Sequence, residues 1–174
     1  MVKFRKWKTR KMSIRSFMII SGGQTGADRG GLEAAKKLGI ATGGWAPRGY
    51  VTENGRDLSL KDFELQTTRT WRYPPRTRLN VKESDATVVF GDLDSPGCRL
   101  TVSLVKKMKK PWIHVPYEGR TNQTIRRSSL MLQQFIEDHQ NVKVLNVAGN
   151  RESKNPGIQE FTEAVLVRAF SVLV

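Results

Sequence analysis

The run Ser-Gly-Gly-Gln-Thr-Gly-Ala-Asp-Arg-Gly-Gly at residues 21–31 holds the densest set of side chains that could bind a ligand. It joins a short apolar run to a helix-period segment within one strand-to-helix turn. Glycines allow a tight turn and close approach of a ligand, and the helix N-terminus offers N–H groups and a positive dipole to an anion. The spacing is neither the Walker motif nor G-x-G-x-x-G. The run therefore indicates a phosphate or other anion, with a purely structural turn as the alternative.

A second candidate loop, Asp-Leu-Asp-Ser-Pro-Gly-Cys-Arg-Leu-Thr at residues 92–101, follows the apolar run Ala86–Phe90 and opens a helix. In a doubly wound sheet of strand order 2-1-3-4-5, the first and third strands are neighbours at the switch point, and their loops wall one crevice. We therefore predict that the two glycine-containing loops meet in a single site. Taken alone, Ser-Pro-Gly is a turn that starts a helix.

Two further loops can reach the same crevice. In Gly-Gly-Trp-Ala-Pro-Arg-Gly, residues 43–49, Trp45 could stack on a flat ring and Arg48 could meet a phosphate. A buried tryptophan that anchors the loop is the alternative. The polar run Asn-Arg-Glu-Ser, residues 150–153, follows the last predicted strand. In isolation it is an ordinary polar loop.

Arg76 and Asn80 are four residues apart and share a face of a predicted helix. A phosphate clamp requires that face to turn toward the crevice, and a solvated basic face is the alternative.

Cysteine and histidine provide weaker signals. Cys98 lies near a helix N-terminus, where a thiolate is favoured, but without an evident partner base a packed cysteine is the preferred interpretation. His114 lies within an apolar strand and His139 at a helix end. These residues form no metal-ligand pattern, so we predict no tightly bound metal. The catalytic residues, if the protein has any, are unknown at this stage.

Short β-rich runs alternate with helix-period segments, which is typical of an α/β protein with a mostly parallel sheet. The predicted strands are 17–20, 40–45, 86–90, 112–115 and 142–147. The predicted helices are 27–38, 75–83, 99–109, one that Thr121 caps and that ends at 138, and one that starts at Pro156. Gly39 should end the first helix, and Glu33 should pair with Lys37 on it. Asn155 should cap the last helix. Residues 46–73 are predicted as a long loop with one short element at most.

The length of 174 residues fits one domain, residues 17–174, preceded by a basic arm at residues 1–16 that we expect to be disordered. Half of the net charge of +14 lies in that arm, which suggests weak non-specific contact with nucleic acid. A solvated tail, an expression artefact or alternative start, and an organellar transit peptide are the other interpretations. A single cysteine allows no intrachain disulfide and suits a cytoplasmic location. No apolar run is long enough to span a membrane.

Five motifs in order carry a family resemblance: IISGGQTGADRGGLEAAKKLGI, GGWAPRG, RTRLNVKESDATVVF, SPGCRLT, and LNVAGNRES followed by PGI. Over Met18–Phe170 the chain resembles the molybdenum cofactor carrier protein family. That family lies within a Rossmann-like superfamily that includes the cytokinin-activating phosphoribohydrolases and DNA-processing protein A. The resemblance implies a doubly wound, mostly parallel α/β/α domain that forms homo-oligomers. It also implies binding of molybdenum cofactor (molybdopterin), a phosphorylated pterin.

By matching positions, the resemblance implies ligand contacts from four loops: Gly22, Gly23, Gln24, Thr25, Gly26, Asp28 and Arg29; Trp45, Pro47, Arg48 and Gly49; Ser95, Pro96, Gly97, Cys98 and Thr101; and Asn150, Arg151, Glu152 and Ser153. The phosphoribohydrolase relatives carry a PGGxGTxxE signature with a catalytic glutamate. Here the corresponding run is SPGCRLTVSL, and no acid lies between Asp94 and Glu118. This departure argues against glycosidic cleavage by their mechanism.

The sequence thus favours a non-catalytic protein that binds, carries or protects molybdenum cofactor or a related phosphorylated, nucleotide-like small molecule. One alternative is a hydrolase or transferase acting on a nucleotide-derived substrate, with Asp28 or Glu152 as the acid/base. A second alternative is a nucleic-acid-associated ligand sensor.

Overall fold

A five-stranded parallel sheet in the order β2-β1-β9-β7-β8 forms the centre of the fold. Its strands are β1 Met18–Ser21, β2 Ala41–Gly43, β7 Ala86–Phe90, β8 Trp112–Val115 and β9 Val144–Gly149. This computed structural model describes residues 17–173, so the basic arm predicted at residues 1–16 lies outside the described residues. The predicted α/β class with a parallel sheet is confirmed.

Helices cover both faces of the sheet. The helices α1 Ala27–Leu38, α4 Asn122–Asp138 and α5 Ile158–Leu173 pack together on one face. The helices α2 Tyr73–Glu83 and α3 Pro96–Lys107 pack against each other on the opposite face. These layers give the predicted three-layer α/β/α architecture. Within residues 17–173, no helix is both long and apolar enough to cross a bilayer.

The predicted strand order 2-1-3-4-5 is wrong, because the last strand, β9, lies between β1 and β7. The residues of β9 from Leu145 to Ala148 are all buried, which suits a central strand covered on both faces. If the chain were to begin at β9, the order would be the Rossmann order 3-2-1-4-5, with the switch point between β9 and β7. The helix layers agree with that order under the right-handed crossover rule.

The two ends of the described chain are neighbours. The ring of Phe17, just before β1, lies 5.0 Å from the ring of Phe170 in α5, measured between centroids. Adjacent ends at the surface are the geometry that tolerates circular permutation. The unusual strand order and the adjacent ends therefore fit one explanation, in which the first strand–helix unit of a Rossmann-like fold stands last in this chain.

Short elements fill the segment that was predicted as a long loop. β3 Trp45–Ala46 pairs in parallel with β6 Gln66–Thr67, and β4 Val51–Thr52 forms an antiparallel hairpin with β5 Gly55–Arg56. A 3₁₀ helix covers Leu58–Phe63. The side chains of Leu60, Phe63 and Leu65 pack on Leu32 of α1 and tie this segment to the domain.

Two local predictions need correction. Gly39 ends α1 in the left-handed region as predicted, but Glu33 pairs with Arg29 and Lys37 pairs with Glu163 of α5 rather than with each other. The last helix begins at Ile158. The N–H groups of Gly157 and Gln159 are bound by the carboxylate of Glu152, and the side chain of Asn155 donates to Asn150 instead of capping the helix. A carboxylate suits that position because it faces the positive end of the helix dipole.

We expect a permutant that begins at Asn141 and joins residue 173 to residue 17 through a short Gly-Ser linker to keep the fold. Gln140 and Asn141 lie in an exposed turn, so the cut opens no buried segment. The linker between residues 173 and 17 closes one loop while the cut opens another, so the cost of loop closure changes little. The free energy of unfolding in urea should stay within about 2 kcal/mol of the parent value. A matched permutant opened inside β9, between Asn146 and Val147, should not fold. Loss of cooperative unfolding in the first permutant would contradict the explanation.

Candidate functional site

Three loops at the carboxyl edge of the sheet meet at Asn150, which follows β9 and is buried. Its backbone carbonyl accepts a hydrogen bond of 3.0 Å from the N–H of Ala27 at the start of α1. Its side-chain Nδ2 donates to the carbonyl of Asp92 and to Oγ of Ser95, both at 3.1 Å, and its Oδ1 accepts from the N–H of Asp92. We call residues 22–26, 91–95 and 150–153 the loop cluster. The two glycine-containing loops therefore lie at one edge, separated by β9.

A buried ion pair forms the floor of the loop cluster. Asp28 in the first turn of α1 is 2% exposed, and its Oδ2 lies 3.1 Å from Nη1 of Arg76 and accepts the N–H of Gln24 at 3.2 Å. Burial raises the pKa of Asp28, although the charge of Arg76 opposes the rise. The guanidinium of Arg76 packs directly on Gly22, where any Cβ would overlap it. The basic face of α2 is thus turned toward the loop cluster.

Two arginines approach the ring of Tyr73. The guanidinium of Arg151 stacks over the ring of Tyr73 at 4.9 Å, and that of Arg76 lies 5.8 Å from the same ring. Within residues 17–173 no carboxylate forms an ion pair with Arg151. The only carboxylate paired with Arg76 in that range is Asp28. The charge of Arg151 is therefore available to an external anion.

Three backbone N–H groups of the glycine-rich turn and the start of α1 donate hydrogen bonds within the protein. The N–H of Gln24 donates to Asp28, that of Thr25 to Oε1 of Gln24 at 3.0 Å, and that of Ala27 to Asn150. Gly26 has φ of 78°, and a Cβ there would overlap the carbonyl of Asn150. The turn therefore acts as a close-packed support for charged side chains. The expectation of a phosphate or other anion at this turn stays a prediction.

Glu53 is a site residue that the sequence analysis missed. It lies at the two-residue turn of the β4–β5 hairpin and accepts hydrogen bonds from the hydroxyls of Thr25 and Ser153 and, at 3.2 Å, from the N–H of Ser153. Its own N–H donates to Oε1 of Gln24 at 2.8 Å. Burial opposes its ionisation, but the bonds from Ser153 and Thr25 and the charge of Arg151 together lower its pKa. In the sequence, the only signal that could have pointed to Glu53 is the turn run Glu-Asn-Gly at residues 53–55.

Some predicted ligand residues have structural partners. Arg29 pairs with Glu33 at 2.9 Å and with Asp57 at 3.0 Å. The indole N–H of Trp45 donates to Glu83 at 2.7 Å. Because Glu83 lies seven residues beyond Arg76 on α2, or about 10 Å along the helix axis, the ring of Trp45 points away from the loop cluster.

The remaining members of the Trp45 loop form a turn. The carbonyl of Pro47 accepts the N–H of Tyr50 at 2.9 Å, and Gly49 has φ of 77°. The side chain of Arg48 is exposed, while its N–H donates to the carbonyl of Thr70 at 2.9 Å. This loop therefore lies next to the segment that leads into α2.

The predicted residues after β7 build the start of α3. Oγ of Ser95 accepts the N–H of Cys98 at 3.3 Å, and the hydroxyl of Thr101 donates to the carbonyl of Gly97 at 3.0 Å. Pro96 and Gly97 are exposed. Cys98 is buried beside Asn150, and burial raises the pKa of its thiol. These contacts fit a packed cysteine rather than a reactive one.

These features define a Rossmann-like domain with a cluster of polar loops at the carboxyl edge of its sheet. The model of the circularly permuted YpsA SLOG family matches residues 19–170, and the chain belongs to that family. The permutation in the family's description agrees with the strand order found here. No curated protein matches the chain.

A solved structure shares this fold. It is the "putative molybdenum carrier protein" from Syntrophus aciditrophicus SB, which is 35% identical to this chain with a TM-score of 0.77. The match covers 90% of this chain and 96% of that one. Together with the family, this likeness indicates a ligand-binding role. Among residues 17–173, no group of three or more His, Cys, Asp or Glu side chains is arranged to hold a metal ion.

We expect Arg76→Gln to lower the free energy of unfolding by about 3 kcal/mol at pH 7, because it leaves the Asp28 carboxylate buried without its counterion. Burial already raises the pKa of Asp28, and loss of Arg76 should raise it further. The fold favours the protonated form of Asp28, which needs no counterion. The decrease in the free energy of unfolding caused by Arg76→Gln should therefore become smaller as the pH falls toward 5. Urea titrations at pH 5 and pH 7 test this.

The Asp28→Asn background is the control for that experiment, since the amide carries no charge. There Arg76→Gln should cost little, and its cost should not depend on pH. An equal cost in both backgrounds would contradict the role assigned to the ion pair.

We expect Asn150→Asp to destabilise the protein by about 3 kcal/mol, because two donated hydrogen bonds are lost and a carboxylate then faces the Asp92 carbonyl. Urea denaturation at pH 7 measures the change. Asn141→Asp, in an exposed turn, is the matched control and should be nearly neutral. Equal stability of the two variants would contradict the bridging role of Asn150.

Proposed function

We propose that this protein binds molybdenum cofactor, or a related phosphorylated, nucleotide-like heterocycle, and carries or protects it without transforming it. The observation that carries the proposal is the guanidinium of Arg151, which stacks over the ring of Tyr73 near Arg76 and forms no ion pair within residues 17–173. Guanidinium groups hold phosphate oxygens through paired hydrogen bonds. This set lies where ligands bind in open α/β sheets, outside the carboxyl ends of the strands.

The remaining neighbours fit a flat ring attached to a phosphate. Trp71, two residues before Tyr73, is 66% exposed, so its indole is available for stacking. The hydroxyls of Thr25 and Ser153 are further donors beside Arg151. The 35% identical relative, described as a molybdenum carrier, supports the choice of molybdopterin among phosphorylated heterocycles.

The enzymatic alternative assigned acid/base chemistry to Asp28 or Glu152. The carboxylate of Asp28 is paired with Arg76, and that of Glu152 binds the N–H groups of Gly157 and Gln159. Both carboxylates therefore have structural partners, and binding is the preferred proposal. Turnover of nucleoside monophosphates or ADP-ribose-like compounds by the pure protein would favour the alternative.

We further propose, from the family resemblance, that the protein forms homo-oligomers and works in the cytoplasm. The exposed apolar side chains of Leu130 and Met131 on α4 suit a contact between copies. Light scattering on the purified protein measures the first claim, and a monomer at micromolar concentration would contradict it. The nucleic-acid hypothesis rests on the net charge of +14 and predicts DNA affinity that falls steeply with salt. If deletion of residues 1–15 leaves that affinity intact, the arm plays no part in it.

Calorimetric titration tests the proposed ligand. Molybdopterin should bind more tightly than inorganic molybdate, and Arg151→Gln should weaken binding by about tenfold or more because a charged hydrogen-bond donor is lost. Arg168→Gln, an exposed change on α5, is the matched control. Absence of binding below millimolar concentration for molybdopterin and for a panel of nucleotides would contradict the proposal.

A further inference from the structure

The carboxylate of Glu53 lies among hydrogen-bond donors of the kind that bind an anion. Its two oxygens accept the hydroxyl hydrogens of Thr25 and Ser153 and the N–H of Ser153. These donors belong to the loops after β1 and β9, and they lie 28 and 100 positions from Glu53 in sequence. Arg151, two residues before Ser153 in the same loop, has its guanidinium over Tyr73 and no ion pair within the described residues, and its charge helps to lower the pKa of Glu53. The group that fills this site is the protein's own side chain.

Glu53 stands at the tip of a hairpin whose base is anchored separately. Asp57, just after β5, is held by Arg29 at 3.0 Å. At the tip, the contacts are the carboxylate bonds of Glu53 and the bond from its N–H to Gln24. Asn54, Gly55 and Arg56 are exposed. The tip can therefore leave the loop cluster while the base stays in place.

A phosphate group and a carboxylate compete for such a donor set. Both are anions that accept hydrogen bonds from hydroxyl and N–H donors, but a phosphate offers three oxygens and a higher charge. Two anions cannot share three donors, because like charges repel strongly at this distance. Binding of a phosphate here thus requires that the carboxylate of Glu53 move away.

We propose that Thr25, Ser153 and Arg151 form the subsite for the phosphate of the ligand, and that Glu53 occupies this subsite in the free protein as an internal competitor. The inference rests on the proposed function for the statement that the ligand carries a phosphate. The inference adds the place where the phosphate binds, and it names the contact that must break first, which is the contact of Glu53 with Thr25 and Ser153. The β4–β5 hairpin is accordingly a latch, closed by Glu53 and opened by the anion.

The first test measures binding of inorganic phosphate to the full-length protein by NMR titration. Glu53→Gln keeps the side-chain shape but removes the competing charge, so it should tighten binding by about tenfold, the difference between charged and neutral hydrogen bonds. Thr25→Val and Ser153→Ala should each weaken binding. Glu137→Gln, an exposed change on α4, is the matched control and should leave the affinity unchanged.

Hydrogen exchange gives a second readout that does not depend on a variant. Saturating phosphate should speed exchange of the Glu53 amide, because its bond to Gln24 opens, and should slow exchange of the Ser153 amide, which then faces the bound anion. Weaker or unchanged binding in Glu53→Gln would overturn the inference. So would increased protection of the Glu53 amide.

The two proposals can fail separately. If molybdopterin does not bind but Glu53→Gln tightens phosphate binding, the latch stands and the choice of ligand is wrong. If molybdopterin binds and Glu53→Gln changes neither its affinity nor that of phosphate, the ligand stands and the latch is wrong.

Discussion

The side-chain amide of Asn150 is the constraint on which the loop cluster depends. It lies at the end of the central strand, where loops from three strands come together, and the contact requires one group that donates and accepts at once. Asn150 donates to the carbonyl of Asp92 and to Ser95, and accepts from the N–H of Asp92. A carboxylate could not donate and a hydroxyl has too few hydrogens. Because the residue is 4% exposed, water cannot replace these bonds.

The electrostatics of the site follow from that packing. The close approach of the three loops buries Asp28, and Arg76 compensates its charge across Gly22, where no side chain intervenes. Arg76 is therefore largely engaged, and Arg151 carries the charge available to an anion. Hydrogen bonds from Ser153 and Thr25 and the charge of Arg151 lower the pKa of Glu53 against the effect of burial. The buried ion pair thus gives Arg76 a structural role and leaves Arg151 as the arginine proposed to bind the anion.

Local signals in the sequence were sufficient for most of the elements. The bounds of α1 and β7 follow from a glycine stop and an apolar run, and the structure has them at Ala27–Leu38 and Ala86–Phe90 as predicted. The strand order was wrong because strand pairing is decided by contacts between distant segments. Nothing local distinguishes a last strand at the edge of the sheet from one at its centre.

The same limit applies to the candidate site. The glycine-rich turn was recognised because its residues are contiguous, whereas Glu53 was missed because its partners are remote in sequence. Trp45 looked suitable for stacking by residue type, but a single bond from its indole to Glu83 turns it elsewhere. Residue type thus identifies candidates, and the direction of each side chain depends on partners that the pattern does not reveal.

The most direct measurement of the central claim, that the loop cluster is a single anion site, is a crystal structure of the protein soaked in tungstate. Tungstate is tetrahedral like phosphate, and its anomalous signal locates it without ambiguity. The account predicts a peak within hydrogen-bond reach of Arg151 and Ser153, with Glu53 displaced. A peak found only elsewhere, such as beside Arg126 and Arg127 on α4, with Glu53 still bound to Thr25, would contradict it.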